Sequence, residues 1–312
     1  MAQYRAIFQN AYFKGLAAAA VVTMGLAAGQ AQAANNLDGL AGTEALTFSD
    51  SAQVQISGSG SQGWNAAVSV TGQNTAGAHS IKADQADLTL SGKGSLTVDT
   101  KDATKGISLE AVSAGTLTVD ISSINVNSGL LKVVSDTSKI ATIKADTITL
   151  GQSGNEASTI SSAEPTAVLD LGTKSVLGKV DANSGTTLNI FNGAALQIKN
   201  SGAAIEAVKV NAKTLNISGG SILLGEGTKE AAATITISNG AMSDGNLSIA
   251  KSGTATIAAQ KPANSTDAVK FDVTGGSVEV SGKLVVSGDV ALSVGGDAKL
   301  YSKSDAASGI EM

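Results

Sequence analysis

Residues able to do chemistry are few in this 312-residue chain, which has one histidine, no cysteine and a single arginine, Arg5. Any nucleophilic site built on an imidazole must use His79, which lies in the small-residue run Thr75-Ala-Gly-Ala-His79-Ser80. No nucleophile-elbow pattern accompanies it, so the sequence predicts a solvated loop histidine. A zinc set drawn from His and Cys needs several such ligands, more than the chain contains. Gly92-Lys93 and Gly282-Lys283 are Gly-Lys pairs, but neither completes a phosphate-binding loop.

Carboxylates offer the remaining route. Hydrolysis of a glycosidic bond uses two of them roughly 5 to 9.5 Å apart. Asp87 with Glu110, or Asp170 with Asp181, would meet that spacing if stacked on adjacent coils. Clamping a sugar acid calls for arginine, and sugar platforms call for aromatic rings. Beyond the leader described below there is no arginine, and the aromatic residues are Phe48, Trp64, Phe191, Phe271 and Tyr301. Calcium-binding turns are suggested by residue type at Asn239 to Asn246, with Asp244 and Gly245, and at Gly295-Gly296-Asp297. Neither repeats in tandem, and turn chemistry accounts for both. The sequence therefore predicts no catalytic, cofactor-binding or metal-ligating residues and a non-enzyme, with a polysaccharide-acting enzyme as the minor alternative. Trp64, between Gly63 and Asn65, reads as an aromatic lid over the first coil; an exposed contact for sugar or protein is the competing reading.

Most of the chain is a short phrase repeated: alternating aliphatic residues, then a Gly, Ser, Asn or Asp turn. Leu88-Thr-Leu90, Leu96-Thr-Val98, Ile148-Thr-Leu150, Leu188-Asn-Ile190, Leu215-Asn-Ile217 and Ile235-Thr-Ile237 are examples. Alternation at period two marks strands with one apolar face. Ile148, Val168, Leu188 and Val208 fall twenty residues apart, as do Ile217, Ile237 and Ile257. The expected fold is all-β, a right-handed parallel β-helix with coils of roughly 20 residues. An antiparallel sandwich or barrel of hairpins is the alternative. Aliphatic residues, Leu188 among them, should point inward, while Thr, Ser, Asn and Lys face out.

Composition agrees with a thin core. Aromatic residues make up 3% of the chain and hydrophobic residues 42%, so the interior must be filled by Val, Ile, Leu and Ala. A net charge of −5 gives no electrostatic footprint for nucleic acid. Residues 1–33 read as a signal peptide: Arg5 and Lys14 precede the apolar stretch Gly15 to Leu26, and Ala31-Gln-Ala33 is a cleavage site. Residues 34–85 read as irregular N-terminal coils or a cap, 86–300 as the regular solenoid, and 301–312 as an unpatterned tail. The leader predicts cleavage after Ala33 and export across the inner membrane of a bacterium.

With the leader, the absence of cysteine and phrases such as Leu215-Asn-Ile-Ser-Gly-Gly-Ser221 and Thr274-Gly-Gly-Ser-Val-Glu-Val-Ser-Gly282, the chain resembles the passenger regions of bacterial autotransporters. That resemblance implies a β-helical passenger carried to the cell surface by a C-terminal membrane β-barrel, acting in adhesion or aggregation. No set of roughly ten-residue alternating strands with aromatic girdles is present, so either the chain is truncated at Met312 or the array is secreted by another route. The resemblance implies the surface or exterior of a Gram-negative bacterium. Expected partners are host or bacterial surface glycans or proteins, with self-association as a further option. An adhesin or scaffold is the first functional expectation, and a self-assembling structural protein or inert stalk the second.

Overall fold

The structure is a computed structural model. It describes residues 32–34, 46–49, 54–71, 79–112, 115–135, 139–152, 165–172, 174–179, 185–198, 208–225, 231–251, 253–262, 264–302 and 309–311. The leader up to Ala31 and the candidate acid Asp181 lie outside these residues.

Strand Leu117–Ser135 shows how one coil is made. Its burial alternates, slips by one residue after Ile121 and again after Val126, and so turns the chain twice without breaking it. Residues 117–121, 123–128 and 130–135 thereby lie on three successive faces, here called III, I and II. Each segment pairs in parallel with the equivalent segment of the next coil: 117–126 with 141–150, and Gly129–Lys132 with Ala167–Asp170. Continued along the chain, this pairing unites the 24 strands of the described residues in a single sheet. Strand-to-strand ladders are parallel throughout the described residues, with one isolated antiparallel bridge, Phe191 to Gly219. The fold is a β-solenoid, which excludes a hairpin sandwich or barrel. Pairing begins at Gln32–Ala34 against Val54–Ile56 and extends to Gly309–Glu311 against Lys283–Val285.

The coil length corrects the sequence reading. Coils average about 27 residues, not twenty. True register partners on face I are Leu96, Ile124, Ile148, Leu188 and Leu215. Ile148 and Leu188 do stack, but forty residues apart. Val168 belongs to face II, against Leu130 and Ala195, and Val208 to face III, against Ala233. Ile237 pairs with Ala212 and Ala259, whereas Ile257 pairs with Ile235. The twenty-residue spacing joins residues on different faces, and three faces per coil hide the longer repeat.

The inward columns form one continuous core of Leu, Ile, Val and Ala. Removal from water stabilises each Leu, Ile or Val side chain by about 1.5–3 kcal/mol, and backbone groups are satisfied by the parallel ladders. Two large aromatics enter this thin core, each where a glycine leaves room. Phe271 lies over its register partner Gly240, where a Cβ would come within 2.7 Å of the ring. Trp64 lies against Gly94, where a Cβ would collide with the indole. Trp64 is 1% exposed, and its Nε1 donates to the Ala66 carbonyl at 3.2 Å. Strands Leu46–Ser49 and Gln32–Ala34 pair on the coil below it. Trp64 is thus a corner filler within the stack, not a terminal lid, and it offers no surface to a ligand.

Candidate binding face

His79 is not a solvated loop residue. It opens strand His79–Ser91, is fully buried, and occupies the inward column between Val54 and Ile107. Burial pushes its pKa below the usual value. The alternation His79, Ile81, Ala83 places it inward; its polar type disguised that position.

Of the four candidate acids, Asp87, Glu110 and Asp170 lie among the described residues. Asp87 accepts from the Thr116 backbone N–H at 2.8 Å, and this bond, helped by the Thr116 hydroxyl, lowers its pKa. Glu110 sits on face II between Lys82 and Val134, away from Asp87. Asp170 is registered between Lys132 and Gln197. Among the described residues, no three His, Cys, Asp or Glu residues cluster as a metal site. Asp244 closes a turn, its Oδ1 accepting from Gly245 N at 2.7 Å, with Gly245 at φ 105°. Gly296 is likewise in the left-handed region at φ 62°. Gly92 packs against the Trp64 carbonyl, and Lys283 pairs with Glu311 at 2.9 Å.

What remains is the outer surface, and its three faces differ. Face II carries cross-coil charges, with Lys82 beside Glu110 and Lys132 beside Asp170. Face III places Asp120 beside Lys144 and includes Lys209. Face I has two outward columns that are uncharged from Ser95 to Asn216. One runs Ser95, Ser123, Thr147, Thr187, Thr214; the other runs Thr97, Asn125, Thr149, Asn189, Asn216. All ten are half-buried by their ladder neighbours. Successive coils are about 4.8 Å apart, and the two columns about 6.6 Å apart along the strand.

Each position is fixed from beneath by the Leu96 to Leu215 column, whose members are at most 1% exposed. Side chains also lock one another: Asn216 Nδ2 donates to Asn189 Oδ1 at 2.9 Å. Charges are confined to the margins of this face. Lys179 bridges Asp120 at 2.9 Å and Asp146 at 2.8 Å. Burial alone would lower its pKa, but the hydrogen bonds to Asp146 and Asp120 outweigh this and raise it. At the opposite margin Asp99 accepts from Ser128 Oγ at 2.5 Å and pairs with Lys101 at 2.8 Å. The result is a rigid strip of hydroxyls, amides and Thr methyls, each polar group able to donate and accept.

Sequence reading recognised outward Ser, Thr and Asn rows but named no binding residues. The signal was present as the triplets Ser95-Leu-Thr97, Ser123-Ile-Asn125, Thr147-Ile-Thr149, Thr187-Leu-Asn189 and Thr214-Leu-Asn216. Their unequal spacings, 28, 24, 40 and 27 residues, concealed that they share a face. Comparison with protein-family models, curated proteins and solved structures finds no significant match.

Proposed function

We propose that the chain is the β-helical passenger part of an exported cell-surface protein of autotransporter type, acting as an adhesin or scaffold through many weak non-covalent contacts. The observation that carries this reading is face I: an uncharged, rigid, periodic strip on a solenoid whose histidine is buried in the core and whose Asp87 is held by Thr116. A flat array with small side chains is suited to repeated weak contacts, whose sum gains strength through multivalency rather than from one deep pocket. The leader-like start, absence of cysteine and resemblance in phrasing support export and surface display.

The test is display of the chain on a non-adherent bacterium, with attachment to epithelial and bacterial surfaces counted. Wild type should promote attachment, and Thr147→Arg with Thr187→Arg should abolish it while leaving the thermal midpoint within a few degrees. Attachment by the double variant at the wild-type level removes face I from the function. A second reading, self-association, is favoured by the exposure of Val294, Leu300 and Tyr301. Sedimentation of the purified chain across a hundredfold concentration range tests it, and a constant sedimentation coefficient excludes it.

A further inference from the structure

We infer that face I, from Ser95 to Asn216, binds an uncharged, extended polysaccharide chain laid along the solenoid axis. This rests on the contact-face reading above and specifies its ligand.

The argument proceeds by what the face offers. Its backbone N–H and C=O groups are consumed by the parallel ladders on both sides, so a peptide cannot add as another strand here. Neither column contains a cation from Ser95 to Asn216, which removes the means of holding phosphates or uronates. Nor does it contain the Trp, Tyr or Arg anchors on which compact protein interfaces depend. Hydroxyls, amides and methyls remain, and these match a ligand that is itself hydroxyl-rich, neutral and partly apolar on its C–H faces. Desolvating such a pair of surfaces incurs no charge penalty. Faces II and III, with Lys and Asp or Glu on their outward columns, would lack that match.

Direction follows from the spacing. An extended sugar chain advances by close to one coil separation per residue, so a chain parallel to the axis meets a fresh pair of side chains at each rung. The five rungs span about 19 Å at 4.8 Å per step. A chain running along the strands would meet one rung only. Thr147, Thr149, Thr187 and Asn189 form the centre of the strip, in direct register. β-Branching restrains the rotamers of the three threonines, and the bond from Asn216 Nδ2 holds Asn189, which lowers the entropy lost on binding. With no aromatic platform in either column, single-sugar contacts are weak. Affinity must therefore climb steeply with polymer length.

The experiment is gel retardation of the purified full chain in mixed-linkage β-glucan, galactomannan and dextran, with polygalacturonate as the charged control. At least one neutral polymer should retard the chain and polygalacturonate should not. The variant T147V/T149V/T187V keeps β-branched residues throughout, so it should fold, yet bind the retarding polymer at least tenfold more weakly. Thr142→Arg on face III should bind like wild type. Retardation by polygalacturonate alone, by no neutral polymer, or equally for the valine variant would overturn the inference. The same valine variant in the attachment assay separates the two claims. Attachment lost without any neutral polymer bound leaves the contact face standing and removes only the polysaccharide; attachment unchanged removes the face itself.

Discussion

At the scale of single residues, the chain shows how strongly position overrides type. His79 is a polar residue in an apolar column, and its behaviour with pH follows from its burial. Its pKa is lowered in the fold, so below the ordinary value near 6.5 the unfolded chain binds the proton more readily than the folded one. Stability contributed by the neutral imidazole is complete above that pH and declines as pH falls through it. Urea midpoints should therefore drop between pH 7.5 and 5, and His79→Leu should flatten the drop; identical profiles would refute a titrating role for His79. Gly240 makes the complementary point, since its missing side chain is the space that Phe271 fills. Gly240→Leu should overpack this layer and destabilise by about 1–3 kcal/mol, measured by urea unfolding, whereas the exposed Asn239→Ser should be neutral.

At the scale of elements, strands were legible and stacking was not. Leu188 was expected to point inward because it alternates with Thr187 and Asn189, and it does, at 1% exposure. Leu188→Asp would bury an unpaired carboxylate between Ile148 and Leu215. It should destabilise by several kcal/mol, roughly 4 or more, and a neutral effect in a thermal melt would contradict the register. Strand identity is a local property, fixed by period-two alternation within five residues. Which strand lies above which depends on corner and excursion length, and these differ from coil to coil. That is why Ile148 and Leu188 were assigned a spacing of two coils when one separates them, and why the five triplets of face I could not be aligned by eye. Trp64 was misread for a related reason, since a corner has no alternation of its own to reveal which way it faces; His79 does alternate with Ile81 and Ala83, and only its polar type hid that.

At the scale of the whole molecule, the coils form a one-dimensional array in which each touches only its neighbours, so stability should be local. Coupling between neighbours is not uniform. Face III narrows at the two-residue strand Val176–Leu177, which pairs with only Thr142 and Ile143 on one side and Lys209 and Val210 on the other. Elsewhere the same face carries up to seven consecutive pairs, as between Ala231–Ile237 and Gly253–Ala259. A defect placed beside the narrow rung should therefore open that region without dissolving the ends. Leu188→Ala removes buried methyl groups at a cost of about 2–5 kcal/mol. Hydrogen exchange should show lost protection in strands Ala141–Leu150, Thr187–Phe191 and Val208–Ser218. Protection should persist at Ser95–Asp99 and Ser221–Leu224 onward to Ser277–Val280. Uniform loss along the chain would mean that the solenoid unfolds as one cooperative unit, and that long-range coupling, not neighbour contact, holds face I in register.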